Sequence, residues 1–376
     1  MSIVRRASLT SAMQRESVAC GRPLRSLVGE GLVVLLCAAL MMLSVGKVAH
    51  AVVIIGSSAG NTSAPTDPDL AVRWNQVGNF GSFMGTPIAS QFFVTAEHIG
   101  NLTGQSITFL DASSYTTTAR FTDPNSDLAI YQISGTFPSD KIVPMYEGGF
   151  STNQAMTIFG RGRSRTDTAI VGERFPTGTE DKGWTWGSFT GNRSWGTNTL
   201  DGTSDQGAAG IQLAYQFDQG GGFNEGALST NDSGGPVFMV ESGEVRLAGI
   251  NYAVGPVNVR ESATGPTLTG SLYDYGGLYL NDGSGNWVLE PATNNPKPAF
   301  SLSTSIPAQS AWISSVITVP EPTTWTLLVS CGVSGAFCLL RRRRGARRGI
   351  SGAAAVGGRP GVVGVGRGRA GLGEGL

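Results

Sequence analysis

The sequence predicts an all-β body, a sandwich or a pair of barrels, set between two flanking apolar segments. Two observations lead there. First, between residues 52 and 318 the apolar residues come in short runs, such as Ala89–Ala96 (ASQFFVTA), Leu128–Ile133 (LAIYQI), Ala155–Phe159 (AMTIF), Val237–Val240 (VFMV) and Val245–Ile250 (VRLAGI). These runs are rich in Val, Ile, Phe, Thr and Tyr and are separated by Gly, Asn, Asp and Ser, which is strand chemistry bounded by turn chemistry. Second, no stretch of the body sustains a helical apolar period over about twelve residues. Many short strands joined by Gly-rich turns argue for a sandwich or barrels.

At the amino end, Arg5, Arg6, Arg15, Arg22 and Arg25 precede an apolar run from Gly31 to Gly46, and Ala49-His50-Ala51 follows. A basic region, a short apolar core and an A-x-A site describe a secretory signal peptide over residues 1–51. The alternative is a retained membrane anchor, but the run falls short of the roughly 20 residues of a stable span. Cleavage after Ala51 makes Val52 the first residue and removes Cys20, Cys37 and His50.

The body, 52–290, contains no cysteine, so its stability and chemistry depend on neither disulfides nor thiolate metal sites. If it is a barrel pair, the halves are expected at about 52–145 and 146–290. Pro, Ser, Thr and Asn dominate 291–318, which reads as a linker or stalk.

The carboxyl end runs Val319-Pro320-Glu321-Pro322, then an apolar stretch Thr323–Leu340, then Arg341–Arg344. The apolar stretch followed by arginines reads as a transmembrane segment over 323–340 with its arginines kept cytoplasmic. A plain single-span anchor has the same layout. The order V-P-E-P, span, arginines resembles the PEP-CTERM sorting signal of Gram-negative bacteria, here over residues 319–344. The resemblance implies a membrane transpeptidase, an exosortase, as a partner, and delivery to the cell envelope or extracellular matrix. Residues 345–376, rich in Gly, Arg, Ala and Val, depart from that pattern and cannot bury a core.

Charge divides along the same boundaries. The whole chain has 27 basic and 27 acidic residues, but residues 52–318 carry 12 basic and 23 acidic ones, a net −11. That charge opposes polyanion binding, and no nucleic-acid partner is expected. The low charged fraction, 14%, excludes a long coiled coil, and four cysteines exclude a disulfide-dense mini-protein. Asp282-Gly-Ser-Gly-Asn286 lacks the carboxylates of a calcium loop. No metal and no cofactor is expected.

Asn231-Asp232-Ser233-Gly234-Gly235-Pro236 precedes the strand-like run VFMV. Gly pairs and Asp-Ser are common turn material, but a serine in such a loop becomes a nucleophile if an imidazole can take its proton. His98, in Val94-Thr95-Ala96-Glu97-His98, is the single histidine of the body and so the single candidate. Asp127 stands at the mouth of the run LAIYQI, where it could accept the imidazole N–H and fix the tautomer, or simply cap the strand. The chain order His98, Asp127, Ser233 excludes the α/β-hydrolase order, which begins with serine, and the subtilisin order, which begins with the acid.

FVTAEHI (Phe93–Ile99), DLAI (Asp127–Ile130), NDSGGP (Asn231–Pro236) and LAGI (Leu247–Ile250) resemble, in order, the histidine, aspartate and serine motifs and the following strand of trypsin/chymotrypsin-like serine proteases. The resemblance implies a fold of two antiparallel six-stranded β-barrels. It implies that Ser233 is the nucleophile, His98 the general acid and base, and Asp127 the orienting acid. It places an oxyanion hole at the backbone N–H groups of Asn231 and Ser233, makes Asp232 the partner of a new N-terminus, and puts Ala227 at the base of the specificity pocket. An ammonium at Val52 would then reach Asp232. The chain departs from the family at Asn231, where a glycine is usual, at Glu97 for alanine and at Ile99 for cysteine. Asn tolerates the left-handed backbone such a position needs. An apolar Ala227 implies no preference for Lys or Arg. The expected function is a secreted serine endopeptidase acting on protein or peptide substrates. The alternative is a catalytically inactive, protease-like binding or matrix protein of the envelope.

Overall fold

The computed structural model describes residues 52–189, 191–255 and 257–318. The expected signal peptide (1–51), sorting signal with its segment 323–340, and tail (345–376) lie outside the described residues. Among the described residues no helix is long and apolar enough to cross a membrane.

The chain is mostly β. It opens with β1 (Val53–Ile54) and helix α1 (Pro68–Gln76). Asp67 caps α1, its side chain accepting from the Asp69 and Leu70 N–H groups, and Pro68 at the first position suits a helix start. Six strands follow: β2 (Gly78–Phe80), β3 (Phe83–Ala89), β4 (Phe92–Ala96), β5 (Ser106–Thr108), β6 (Ser114–Thr122) and β7 (Leu128–Ile133). They close into an antiparallel barrel of order β2-β3-β4-β7-β6-β5.

The continuous apolar runs of β4 and β7 have a simple cause: both of their faces are buried. Phe93, Ala129, Tyr131 and Ile133 point into the barrel with Phe80 and Ile107. Phe92, Val94, Ala96, Leu128 and Ile130 point the other way, into a second cluster with Phe159, Phe238, Leu247 and Ile250 of the other half. The site lies at the end of this shared ladder, where Ala96 pairs with Leu128.

The second half contains β8 (Ala155–Gly160), β9 (Arg163–Glu173), β10 (Thr179–Phe189), β11 (Ser194–Thr199), β12 (Gly202–Asp205), β13 (Ile211–Gln216), β14 (Gly226–Ala227), β15 (Pro236–Glu241), β16 (Glu244–Val254), β17 (Val257–Arg260), β18 (Leu268–Leu272), β19 (Tyr279–Asn281), β20 (Trp287–Leu289) and β21 (Phe300–Ser305), then helix α2 (Ser310–Ile317). Here the architecture departs from two equal six-stranded barrels. Beside the closed barrel stands a seven-stranded sheet, β11-β8-β15-β16-β21-β13-β12. Two long connections, β8 to β11 and β16 to β21, leave it and combine into a further six-stranded sheet, β20-β19-β17-β18-β10-β9. The boundary near 145 is also crossed: β1, first in sequence, pairs with β14 of the second half.

The linker expected at 291–318 is a correction. β21 lies inside the seven-stranded sheet, between β16 and β13, and Ile313 and Val316 of α2 are buried in the interface cluster. Its Ser and Thr side chains tolerate burial because each finds a partner. Ser303 Oγ donates to Asn251 Oδ1 at 3.1 Å, Thr304 Oγ1 to Gln212 Oε1 at 3.2 Å, and Ser301 Oγ accepts from the Leu228 N–H at 3.1 Å. A hydroxyl-rich composition looks like a stalk but here forms a satisfied central strand.

Candidate active site

His98 follows β4 after one residue, Glu97, and Asp127 directly precedes β7. The Glu97 N–H donates to the Asp127 carbonyl at 2.8 Å, continuing the ladder through the site. The Asp127 carboxylate, 6% exposed, takes two hydrogen bonds from one residue. Oδ1 accepts from the His98 backbone N–H at 3.0 Å, and Oδ2 meets the ring Nδ1 at 2.7 Å. Two bonds from backbone and ring fix the rotation of the imidazole. With Nδ1 carrying its proton toward the carboxylate, Nε2 is left as an acceptor. It lies 2.7 Å from Ser233 Oγ. Tyr252 packs edge-on against the imidazole, with ring centroids 5.7 Å apart.

Glu97 does not face the imidazole. Its Oε1 pairs with Arg120 at 2.9 Å, and the same guanidinium holds the Glu97 carbonyl at 2.7 Å.

Ser233 comes from the second half, on a turn that can reach His98 only without side chains behind it. Gly234 has φ +76°, and a Cβ there would lie 2.3 Å from Thr95 Oγ1 and 2.5 Å from the Met84 carbonyl oxygen. A Cβ on Gly235 would lie 2.2 Å from the Phe159 carbonyl oxygen. Glycine is therefore required at both positions for the turn to seat against the barrel.

Asn231 has φ +79°, in the left-handed region that Asn tolerates. Among the described residues neither the Asn231 nor the Ser233 backbone N–H donates to a protein acceptor. Both are thus free for an oxygen placed beside Ser233 Oγ.

Asn251, which sequence reasoning passed over, braces this turn from below. Its Nδ2 donates to the Phe159 carbonyl at 2.8 Å and to the Asp232 carbonyl at 3.1 Å, while its backbone exchanges bonds with Gly234 and Gly235. The sequence cue was its place one residue after LAGI.

Asp232 is 1% exposed and turned inward. Its carboxylate accepts from the Gly162 N–H at 2.6 Å, from the Ser229 N–H at 2.7 Å and Oγ at 2.9 Å, and from the Val52 N–H. Burial pushes its carboxyl up to about 6, against the pull of those donors. The Val52 side chain is buried among glycines: a Cβ at Gly160, Gly196 or Gly226 would come within 3.1 Å of it. Arg165 secures the strand that follows, donating from Nε to the Ile54 carbonyl at 2.9 Å and from an Nη to the Ile55 carbonyl at 3.0 Å.

Beside Ser233 opens a cavity of about 310 Å³, walled by Trp186, Leu228, Ser229, Tyr252, Ala253 and Val254 among others. Ala227, expected at its base, is not in the wall. It pairs with Val53 and is buried in a cluster with Trp184, Phe217 and Tyr273. The structure thus brings together His98, Asp127, Ser233, Asn231 and Asp232, and leaves Ala227 behind the cavity. Among the described residues no group of three or more His, Cys, Asp or Glu side chains is placed to hold a metal ion.

No protein-family model matches the chain, and no curated protein matches it.

Proposed function

We propose that the chain is a serine endopeptidase of chymotrypsin-like architecture, working outside the cytoplasm. The observation that carries this reading is the pair of 2.7 Å contacts that His98 makes, one to Asp127 and one to Ser233, through its two different ring nitrogens. The closed barrel, the adjoining sheet and the site at their junction support the architecture.

Ser233 Oγ attacks the carbonyl carbon of a peptide bond while His98 Nε2 takes its proton. Asp127 holds the imidazole in place and stabilises the imidazolium. The oxyanion accepts from the N–H groups of Asn231 and Ser233. As the C–N bond breaks, the proton on Nε2 passes to the leaving amine. Water then attacks the acyl-enzyme, with His98 again taking the proton, and Ser233 is regenerated.

Export through residues 1–51, and sorting by an exosortase with membrane residence through 323–340, are part of the same proposal and rest on sequence patterns. The inactive binding-protein alternative rests on Asn231 in a glycine position and on the acidic surface. That residue's φ of +79° keeps its N–H free, which favours the enzyme. A fluorophosphonate probe tests the choice. Labelling of the chain that is abolished in Ser233→Ala supports the peptidase, whereas a folded chain that takes no label is the inactive protein.

A further inference from the structure

The position that the family resemblance marks as the pocket base, Ala227, does not reach the cavity, but Trp186 does. The indole packs against the cluster that contains Ala227 and also lines the cavity beside Ser233. It comes from β10, in the connection between β8 and β11, where no active-site motif lies.

The site is built to hold it. The β9–β10 ladder shifts register on both sides of Trp186, and such bulges re-aim a side chain. Indole Nε1 donates to Ser271 Oγ at 2.9 Å, and Ser271, on β18, is fully buried. The ring is thus tied to the additional sheet formed by both long connections.

The rest of the wall is apolar or neutral except for Asp232. That carboxylate is already engaged by Gly162, Ser229 and Val52, facing away from the cavity's interior. A Lys or Arg side chain entering here would lose its water and gain no free carboxylate to pair with.

We propose that Trp186 sets the depth of the acyl-side specificity pocket, so that the enzyme cleaves after short, uncharged aliphatic residues. This rests on the peptidase reading above. Without the indole the cavity would extend toward Ala227 and admit longer side chains.

The test compares kcat/KM for peptide amides that differ only in the residue before the cleaved bond: Ala, Val, Leu, Phe or Lys. The full chain, Trp186→Ala and Trp186→Leu are measured, each checked first for fluorophosphonate labelling so that a misfolded protein is not scored. The wild type should favour Ala and Val over Phe and Lys. The Phe-to-Val ratio should rise by about tenfold or more in Trp186→Ala and by less in Trp186→Leu. A Phe-to-Val ratio unchanged in labelled Trp186→Ala overturns the proposal, as does a wild type that prefers Phe or Lys. A wild type that takes no label overturns the peptidase reading itself, a result distinct from an unchanged ratio.

Discussion

The backbone N–H of Val52 donates to the carboxylate of Asp232, the residue next to the proposed nucleophile. Val52 is fully buried and holds φ +50°, a left-handed conformation that a β-branched residue adopts only under strain. A chain that begins at Val52 has no such φ, so the strain, about 1–3 kcal/mol, is relieved by a cut before Val52. The same cut would set an ammonium against the buried Asp232. With residue 51 attached, the raised Asp232 pKa contributes stability that is full below about 4 and is lost as pH rises through about 6. The difference is on the order of 3 kcal/mol. A chain starting at Val52 should instead be favoured over that window, because its ammonium compensates the carboxylate. On the peptidase reading it should also label roughly tenfold faster or more, because Asp232 lies between the two residues whose N–H groups are proposed to hold the oxyanion. Identical Tm–pH curves and labelling rates for the cut and uncut chains would dispose of this coupling.

Asp127 takes both a backbone and a ring hydrogen bond from His98. Asp127→Asn keeps the shape but can offer N–H where a carboxylate oxygen accepted, inverting the imidazole tautomer. We predict a loss in kcat of about 10³–10⁴-fold, with KM and Tm little changed. A loss smaller than tenfold would mean that the ring is oriented by something else.

Asn231 stands at φ +79°. Asn231→Gly should fold as well and retain activity, because glycine takes the left-handed region freely. Asn231→Val should lose stability by roughly 1–2 kcal/mol and lower kcat more than it raises KM, because the N–H it misaligns is the one proposed to act on the oxyanion. Urea unfolding and steady-state kinetics on both variants decide the matter. Equal activity of the two would remove Asn231 from the oxyanion hole.

The strands and the meeting of His98, Asp127 and Ser233 are legible because their signals are local. The runs FFVTA and LAIYQI announce β4 and β7, and a single histidine in the body leaves one candidate to meet Ser233. What was not legible depended on distant partners. FSLSTS reads as polar linker until Asn251, Gln212, Tyr215 and Leu228 satisfy its hydroxyls. Ala227 occupies the counted position, but its burial among Trp184, Phe217 and Tyr273, residues remote in sequence, is invisible to a count. Asn251 carries no motif, because its role is to bond carbonyls at Phe159 and Asp232 that are remote in sequence.

Asn251 therefore supplies its own prediction. Replacing it with alanine leaves Ser303 Oγ, and the Phe159 and Asp232 carbonyls, without this buried partner, a cost of about 1–3 kcal/mol. Because the bonds brace the serine turn, Asn251→Ala should also slow fluorophosphonate labelling of protein that remains folded. A Tm drop with an unchanged labelling rate would make Asn251 a structural residue only.

Glu225 offers a test of burial far from the chemistry. It is 4% exposed, and burial pushes its carboxyl up to about 8, while Asp218 and Asp201 add like charge. A raised carboxyl stabilises the fold below its unfolded value near 4.5, and that contribution is lost as pH rises through about 8. Glu225→Gln is neutral at every pH and can still accept from the Asp218 N–H, now at 3.3 Å. The variant should match wild type near pH 4 and exceed it at pH 9, by roughly 1–3 kcal/mol. Thermal melts at both values measure this directly. A variant no more stable at pH 9 than at pH 4, relative to wild type, would show that Glu225 ionises without cost.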